Sequence, residues 1–192
     1  MVEKINETTY KIVGNGNVYV LIGANPLIID TSDSKDSAEI KSELEKLVSL
    51  EAVKTVLLTH MHYDHSANVD LFPNAQVYCS KAEIRDFRDS LEDSLADSVI
   101  SITTLSKLNK ARELGSEIEG LKVLNLPGHT LGSVAYVDEK NKVIFTGDTY
   151  FSEEVIGRTD LPNSAAWKME ESLEKVREYI KKGYKVCSGH DY

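Results

Sequence analysis

The chain has 192 residues, of which 41% are hydrophobic and 28% charged, and 31 acidic against 22 basic residues give a net charge of -9. This composition excludes a disordered chain or a collagen, and the acidic charge disfavours a nucleic-acid partner because it repels phosphate. The longest apolar stretch, Val18 to Ile29, is interrupted and falls short of the roughly 20 residues that span a bilayer. The N-terminus lacks an apolar signal segment, and Cys79 and Cys187 are expected to be reduced and buried. We therefore expect a cytoplasmic protein with no membrane partner.

No glycine/serine linker, proline tract or low-complexity segment divides the chain, so we interpret residues 1–192 as a single domain. The first half begins with short β-branched and aromatic runs and then changes to helical spacing. We predict strands at Tyr10–Val13, Asn17–Ile22, Leu27–Asp30, Val53–Leu58 and Val77–Cys79, and helices at Ser34–Ser49, Ser66–Leu71 and, with a weak period, Lys81–Val99. Either Ser34 or Asp33 can cap the first helix.

The second half also places strands before a helix. We predict strands at Leu121–Leu126, Val134–Val137, Val143–Phe145 and Lys185–Cys187, a hairpin turn at Asp138–Asn141, and an amphipathic helix at Ala165–Lys182 that ends at Gly183. Two groups of strands, each followed by helices, indicate an α/β architecture in which helices cover the outer sides of the sheets.

The five histidines carry the main functional signal. Three of them lie in Thr59-His60-Met61-His62-Tyr63-Asp64-His65, which begins where an apolar strand is predicted to end. In an extended segment His60, His62 and Asp64 would point the same way, and His65 would point elsewhere. Four side chains of metal-ligand type within six residues exceed what one tetrahedral ion needs, so the string indicates two neighbouring ions.

The remaining candidate ligands follow other predicted strands. His129 stands in Pro-Gly-His-Thr, Asp148 in Thr-Gly-Asp-Thr and His190 in Ser-Gly-His-Asp. Glycine before the polar residue allows close approach of the backbone. A lone histidine at a strand end is usually a structural hydrogen-bonding group, and a Gly-Asp pair is usually a turn. The joint pattern nevertheless predicts a metal site, because no histidine is left over for ordinary uses.

Together these motifs resemble those of the metallo-β-lactamase superfamily. The match runs in order through Thr59–His65, Pro127–Thr130, Gly147–Thr149 and Gly189–His190. Within that superfamily, the segment Gly157–Pro162 is similar to one in short glyoxalase II-like (hydroxyacylglutathione hydrolase-like) thioesterases, and a related segment occurs in persulfide dioxygenases. The resemblance implies a four-layer αββα sandwich, with two facing sheets, helices outside and metals at one edge.

The resemblance also implies a ligand set. The first metal would take His60, His62 and His129, the second would take Asp64, His65 and His190, and Asp148 would bridge the two. Imidazole and carboxylate ligands suit two divalent ions, and we expect zinc, with iron or manganese as alternatives. The candidate catalytic residues are Asp148, which would bridge, and Asp64, which could also accept a proton.

Two departures from the superfamily pattern concern the site. The Gly-Gly that usually follows the ligand string is replaced by Ser66 and Ala67, and the first motif is Asp30-Thr31-Ser32, where glycine usually stands third. Asp30 either orients a ligand histidine or caps the next helix. The position of His190 close to the C-terminus predicts a loosely held ligand and a weak second metal.

Other segments have alternative interpretations. Arg158 and Asp160 belong either to a structured loop in which Arg158 pairs with a carboxylate or to a substrate contact. Tyr150 and Phe151 either line the pocket or pack as buried aromatic residues. The charged run Lys81–Arg88 is expected to be a solvated helix face, and the helix that contains the single tryptophan is expected to pack on the core.

The leading hypothesis is hydrolysis of a small thioester or ester by a metal-bridging hydroxide. The alternative is an oxidoreductase, a persulfide dioxygenase with one iron held by His60, His62 and either Asp148 or His129, and the motifs do not separate these two. β-Lactam hydrolysis is supported only by the superfamily name. The acidic charge disfavours nucleic-acid processing, and the size of the ligand set disfavours a non-enzymatic metal protein. We expect a small-molecule substrate, and the oligomeric state stays open.

Overall fold

Two β-sheets lie face to face in the computed structural model, which describes residues 1–89, 101–151 and 155–191. Within these residues the first sheet contains, in spatial order, β1 (Val2–Lys4), β2 (Thr9–Ile12), β3 (Val18–Leu21), β4 (Leu27–Ile29), β5 (Thr55–Leu57), β6 (Gln76–Cys79) and β7 (Arg112–Glu113). The pairs from β1 to β4 are antiparallel and those from β4 to β7 are parallel. The parallel half therefore ends its strands at one common edge.

The second sheet contains β8 (Glu117–Ile118), β9 (Leu121–Asn125), β10 (Val134–Asp138), β11 (Val143–Gly147) and β12 (Lys185–Ser188). Its spatial order is β12-β11-β10-β9-β8. Strands β11 and β12 pair in parallel, whereas the other pairs are antiparallel. This arrangement brings the ends of β11 and β12 side by side.

Helices lie outside the two sheets. They are α1 (Ser37–Glu45), α2 (Tyr63–Ser66), α3 (Lys81–Asp89), α4 (Ile102–Asn109) and α5 (Ala166–Lys181), with 3-10 turns at Ser34–Asp36 and Val69–Leu71. The Asp33 carboxylate caps the first turn by accepting a hydrogen bond from the Lys35 amide. Across the described ranges, no helix is both long and apolar enough to cross a bilayer.

Three clusters of buried side chains separate these layers. The first lies between the first sheet and its helices, and includes Ile28, Val56, Leu44, Phe87 and Leu108. The second lies between the sheets, and includes Leu27, Leu57, Tyr136 and Phe145. The third lies between the second sheet and α5, and includes Ala135, Val137, Ile144 and Val176. Sequence neighbours in one strand thus face different clusters, as expected for sheets covered on both sides. The fold is the four-layer αββα sandwich.

The main predicted strands and the helices at residues 34–49 and 165–182 are present, with ends shifted by a few residues. The helix predicted at Ser66–Leu71 is wrong, because the α-helical turn comes earlier, at Tyr63–Ser66, and a 3-10 turn follows at Val69–Leu71. The end of the helix predicted at Lys81–Val99 lies outside the described residues. The prediction missed β1, β7 and β8, since strands of two or three residues are too short to show alternation, and it also missed the helix α4.

The two predicted turn features are confirmed. Gly183 ends α5 with a φ of 82°, and the amides of Gly183 and Tyr184 donate to the carbonyls of Ile180 and Tyr179. This is the hydrogen-bond pattern of a Schellman cap, which favours glycine at the left-handed position. In the hairpin between β10 and β11, the Asp138 carboxylate accepts a hydrogen bond from the Asn141 amide at 2.9 Å.

Candidate metal centre

The five histidines and two aspartates of the predicted ligand set lie together at one edge of the sandwich, in segments that follow strands β5, β9, β11 and β12. Among the described residues they form three groups whose candidate ligand atoms all lie within 4.8 Å of one another. These groups are His60, His62 and His129; Asp64, His65 and His190; and His60, His65 and Asp148. Side chains that are separated by up to 130 positions in the sequence therefore converge on one small volume.

The first group, defined as His60, His62 and His129, consists of three imidazoles. His129 Nε2 lies 2.8 Å from His62 Nδ1. The His60 ring centroid lies 4.6 Å from that of His62 and 4.9 Å from that of His129. Three histidine nitrogens that leave room for a further ligand are a donor set that zinc takes at catalytic sites.

The second group, defined as Asp64, His65 and His190, combines a carboxylate with two imidazoles. His190 Nε2 lies 3.3 Å from His65 Nε2 and 3.4 Å from Asp64 Oδ2. The expected alternation of His60, His62 and Asp64 along an extended segment is wrong. The chain turns into α2 at Tyr63, so Asp64 rotates away from the first group and faces the second.

Asp148 lies between the two groups. Its Oδ2 is 3.2 Å from His190 Nε2 and 3.6 Å from His129 Nε2, while its Oδ1 is 3.2 Å from His65 Nε2. One carboxylate is therefore close to nitrogens of both groups. The loop after β11 places Asp148 there because Gly147, with a φ of 51°, packs against Thr59, where a Cβ would come within 2.5 Å of the hydroxyl oxygen.

Hydrogen bonds at the outer ring nitrogens orient three of the histidines. His65 Nδ1 lies 2.9 Å from Asp30 Oδ2, and His129 Nδ1 donates to the Arg158 carbonyl at 2.8 Å. His60 Nδ1 lies 3.1 Å from the Thr59 hydroxyl. A proton on each Nδ1 leaves Nε2 with a free lone pair that faces the centre, which is the usual arrangement of metal-binding histidines.

Two atoms at the centre test whether these residues fit a metal. In the described part of the chain, His60 Nε2 and Asp148 Oδ1 are buried and make no hydrogen bond. Leaving a buried polar atom without a partner costs about 1–3 kcal/mol. Both atoms are acceptors in one group of candidate ligands, so a cation bound by that group would satisfy both. The donor set therefore fits divalent metal ions.

Asp30 is the residue that orients His65. Its carboxylate also accepts hydrogen bonds from the Thr59 amide at 2.8 Å and the Thr59 hydroxyl at 2.7 Å, and it is 1% exposed. The alternative role as a helix cap is filled by Asp33 instead. Asp30 thus connects the end of β4 to the ligand string and to α2.

The electrostatics of the centre separate the histidines into two kinds. Burial lowers the pKa of His60 well below its usual value, and the neighbouring His65 adds to this. Burial opposes charge on His65 too, but the carboxylates of Asp148 and Asp30 outweigh it and raise its pKa well above the usual value. In the metal-free protein His60 is therefore a neutral imidazole, while His65 is a positively charged imidazolium.

Asp148 and His190 form a second coupled pair. Burial opposes the charged form of His190, but hydrogen bonds to Asp148 and Asp64 raise its pKa to about 9. Burial likewise opposes charge on Asp148, yet His65 and His190 hold the pKa of its carboxyl well below the usual value. The carboxylates at the centre are thus ionised over the neutral range, as a cation site requires.

The expectation that His190 is loosely held is wrong. The Asn17 amide donates to the Gly189 carbonyl at 2.7 Å, and the Tyr19 hydroxyl donates to the Ser188 carbonyl at 2.7 Å. The Gly189 amide in turn donates to the Gly147 carbonyl at 2.9 Å. Segments of both sheets therefore hold the backbone around His190, which position in the sequence does not reveal.

An open cleft of about 490 Å³ leads to the centre. Phe151, Val155, Ile156 and Leu161 line one part of it, and His62, Asp64 and Asp148 line another. Phe151 thus lines the cleft, as one interpretation predicted, whereas Tyr150 packs with the cluster under α5. The apolar part of the cleft can receive carbon chains while the polar part receives a carbonyl.

The Arg158 side chain makes the carboxylate pair that the loop interpretation predicted. Its Nε and Nη2 donate to the two carboxylate oxygens of Asp160 at 2.7 and 2.9 Å. Both side chains are exposed, so this pair stabilises the protein little. The closest link to the centre is the Arg158 backbone carbonyl, which holds His129.

The expectation that Lys81–Arg88 is a solvated helix face is wrong in part, whereas the expectation that the helix with the single tryptophan packs on the core is confirmed. The run Lys81–Arg88 is not entirely a solvated face, since Glu83 is 3% exposed and accepts backbone hydrogen bonds from two loops of the site. Trp167 is 77% exposed, although its helix α5 packs on the core through Met169, Leu173 and Val176. Glu83 was predicted to be exposed only because it and its neighbours are charged. The available signal that it differs from the other charged residues of this helix was Ser80, three positions earlier, since Ser-x-x-Glu is typical of a helix start.

A sandwich of this kind, with converging histidines and aspartates at one edge, defines the metallo-hydrolases of one large superfamily. The profile of the metallo-β-lactamase superfamily matches residues 12–190. The chain belongs to this superfamily, whose enzymes bind divalent metals.

Two relatives and two solved structures illustrate the similarity. A probable metallo-hydrolase of Streptococcus pyogenes serotype M6 is 31% identical over 97% of this chain and 83% of that protein. A hydroxyacylglutathione hydrolase of Vibrio campbellii is 31% identical over 86% of this chain and 60% of that protein. The crystal structure of TTHA1623 in a di-iron-bound form superposes with a TM-score of 0.72, at 24% identity over 100% of this chain and 92% of that chain. The crystal structure of ETHE1 from Myxococcus xanthus superposes with a TM-score of 0.65, at 23% identity over 96% of this chain and 76% of that chain.

Proposed function

We propose that this chain is a metal-dependent hydrolase of a small thioester or ester, of the glyoxalase II type. The observation that carries the proposal is the position of Asp148, whose two carboxylate oxygens lie within 3.6 Å of nitrogens in both histidine groups. A carboxylate between two ligand groups is the arrangement of two-metal hydrolytic sites. The 31% sequence identity to a hydroxyacylglutathione hydrolase supports a thioester as the class of substrate.

In this proposal every predicted ligand has a position in one of two ion sites. The first ion would be held by His60, His62 and His129, the second by Asp64, His65 and His190, and both by Asp148. Zinc suits this set of nitrogens and carboxylate oxygens, with iron or manganese as alternatives. When bound, the ions would polarise the substrate carbonyl and lower the pKa of a water molecule at the site, which supplies a nucleophile near neutral pH.

The protein's own side chains would do the remaining work. Asp64 lies on the cleft, and its side chain is 32% exposed. Burial opposes its charge, but the hydrogen bond to His190 lowers the pKa of its carboxyl. Asp64 is therefore an ionised acceptor for a proton at the cleft surface. The apolar residues Phe151 and Ile156 would hold the acyl or thiol carbon chain beside it.

A one-iron persulfide dioxygenase is the second candidate. His60, His65 and Asp148 form a group of two imidazoles and one carboxylate, which is the donor set of many non-haem iron oxygenases. The trio expected from the sequence was His60, His62 and either Asp148 or His129, so it contained His62 in place of His65. The fold similarity to ETHE1 is compatible with this candidate.

Metal analysis and two assays separate the candidates. The purified protein is analysed for metal content, then assayed for hydrolysis of S-lactoylglutathione and of a simple acyl thioester, and for oxygen uptake with glutathione persulfide. Two ions per chain, thioester hydrolysis and no oxygen uptake are the expected results. One iron per chain with oxygen uptake and no hydrolysis would overturn the proposal in favour of the dioxygenase.

A further inference from the structure

Glu83 is a buried carboxylate that links two loops of the metal centre. It lies in the first turn of α3, and its side chain is hidden from solvent. Oε2 accepts a hydrogen bond from the Met61 amide at 2.8 Å, and Oε1 accepts one from the Gly132 amide at 3.2 Å. The two oxygens of one side chain therefore bind two separate segments of backbone.

These two segments supply the whole first group. Met61 stands between His60 and His62, and Gly132 lies three residues after His129 in the loop between β9 and β10. Thr130, the residue next to His129, also makes a side-chain hydrogen bond with Glu83. The carboxylate thus sets the distance between the loop that carries two of the histidines and the loop that carries the third.

Helix capping does not account for the direction of this side chain. Ser80 caps α3 by accepting a hydrogen bond from the Glu83 amide at 3.3 Å. The spacing Ser-x-x-Glu permits a capping box, in which the glutamate side chain returns to the amide of the capping residue. Here the carboxylate extends to the two ligand loops instead. Gly132 makes room for it, since a Cβ at that position would lie 2.6 Å from Oε1.

A buried carboxylate is costly unless its partners compensate for lost hydration. Burial raises the pKa of Glu83, while the hydrogen bonds from Thr130, Met61 and Gly132 lower it. A neutral residue that filled the same space would avoid this cost. All of these hydrogen bonds are to residues within three positions of a candidate ligand, which indicates that the carboxylate holds the ligand loops in place.

We propose that Glu83 is a positioning residue that holds the His60–His62 loop and the His129 loop in register so that their three nitrogens converge on one ion. This inference rests on the proposed ligand assignment. It places Glu83 outside the reacting groups, because its contacts are to backbone amides and to Thr130 rather than to the cleft. Loss of the link should weaken the first ion site and leave the second unchanged.

The test measures Zn²⁺ binding, without substrate, in proteins that keep only one ion site. Glu83→Gln is made in a His190→Ala background, which retains the first group, and in a His129→Ala background, which retains the second. Affinities are measured by competition with a chromogenic chelator. Loss of a residue that orients ligands costs about 10–100-fold in metal affinity, so we expect a loss of about 10-fold in the first background and none in the second. Co²⁺ should also show a changed visible spectrum in the first background.

Two further variants complete the design. Asp89→Asn removes an exposed charge from the same helix and should leave both affinities and the Co²⁺ spectrum unchanged. Glu83→Asp keeps the charge but is one methylene shorter, so it cannot reach both amides and should weaken the first site in the same way. Circular dichroism and thermal unfolding of each metal-free variant show whether it folds.

Three results would overturn the inference. They are wild-type affinity and an unchanged Co²⁺ spectrum in the first background, equal losses in both backgrounds, or failure of both Glu83 variants to fold, which would make Glu83 a residue of the fold alone. If the parent proteins themselves bind no Zn²⁺, the proposed function fails instead. A protein that binds Zn²⁺ but does not hydrolyse thioesters leaves the Glu83 result interpretable.

Discussion

Lys11 Nζ lies 2.8 Å from Oδ2 and 3.0 Å from Oδ1 of Asp191, the residue that follows His190. Lys11 belongs to β2 of the first sheet, and its side chain is only 11% exposed. Asn17 Nδ2 donates to the same carboxylate at 3.0 Å. The two sheets are therefore joined next to a candidate ligand, and we expect this contact to help position His190.

Replacement of Lys11 tests this connection. Lys11→Met keeps the length and apolar contacts of the side chain but removes the ion pair, so His190 should become less well placed. We expect roughly 10-fold weaker metal binding at the second group and no change at the first. Chelator competition in a His129→Ala background measures it. Glu3→Gln, which removes the other carboxylate near Lys11, is the control and should bind as the parent does.

Replacement of Asp148 tests the bridge between the groups. Asp148→Asn keeps the shape of the side chain, but a neutral amide interacts poorly with two cations. We expect both ions to bind more weakly, whereas loss of a residue that binds only one ion would weaken the binding of that ion alone. Metal content after dialysis and a Zn²⁺ titration measure this. Two tight sites in the variant would show that Asp148 does not bridge.

Removal of a first-group histidine should abolish hydrolysis. His60→Ala and His129→Ala each delete a candidate ligand, and a bound ion contributes several kcal/mol to the transition state, or about 10³-fold in rate. Both variants should stay folded, because neither histidine is a member of the three buried apolar clusters. Thioester hydrolysis and circular dichroism are the measurements. Turnover close to that of the wild type would contradict the ligand assignment.

Metal binding near pH 7 should release protons. The raised pKa values of His65 and His190 mean that both rings are protonated on both nitrogens in the metal-free protein near pH 7. The nitrogen that binds the metal must lose its proton. For His190 the release should decline as the pH rises through about 9. Titration of Zn²⁺ into weakly buffered protein measures the protons, and His190→Ala should release about one fewer per chain. Equal release from both proteins would contradict the prediction.

The stability of the metal-free protein should show the same titration. The raised pKa of His190 contributes stability that is present below its unfolded value of about 6.5. That contribution is lost as the pH rises through about 9. The lowered pKa of buried His60 acts in the opposite sense, since the unfolded chain takes up a proton as the pH falls below about 6.5. Urea unfolding of wild-type and His190→Ala protein across this range checks the first effect, which the variant should lack.

Asp30→Asn should lower both stability and metal affinity. The carboxylate accepts hydrogen bonds from the amide and hydroxyl of Thr59 and lies against His65 Nδ1. An amide can keep one of these contacts but places its own NH₂ group against donors. We expect a loss of about 1–3 kcal/mol in the free energy of unfolding, measured with urea on metal-free protein. An unchanged unfolding midpoint would show that Asp30 is not needed to hold these groups.

Much of the site was recognisable from the sequence because its signals are local. The string from His60 to His65 contains four side chains of ligand type, and a glycine precedes His190. The structure explains this glycine, because a Cβ on Gly189 would lie 2.0 Å from Asp148 Oδ1. Alternation and helical spacing also identified most strands and the helices α1 and α5, since both patterns depend on neighbours within one element.

The residues that support the ligands were not recognisable in this way. Glu83 was assigned to a solvated face because its neighbours are charged, and the carboxylate acquires its role from amides 22 and 49 positions away. The position of His190 near the chain end indicated mobility, yet Lys11, 180 positions from Asp191, holds that segment.

Spacing and periodicity, which are properties of short segments, thus indicated an α/β architecture and the candidate ligands, and the resemblance to the metallo-β-lactamase superfamily implied the four-layer sandwich. The tertiary structure showed how the ligands reach the two groups that the resemblance implied: α2 turns Asp64 and His65 away from His62. It also decided which carboxylates orient ligands, since Asp30 and Glu83 act through donors on other strands and loops. A hydrogen bond between distant segments depends on the path of the whole chain, and no local pattern reports that path.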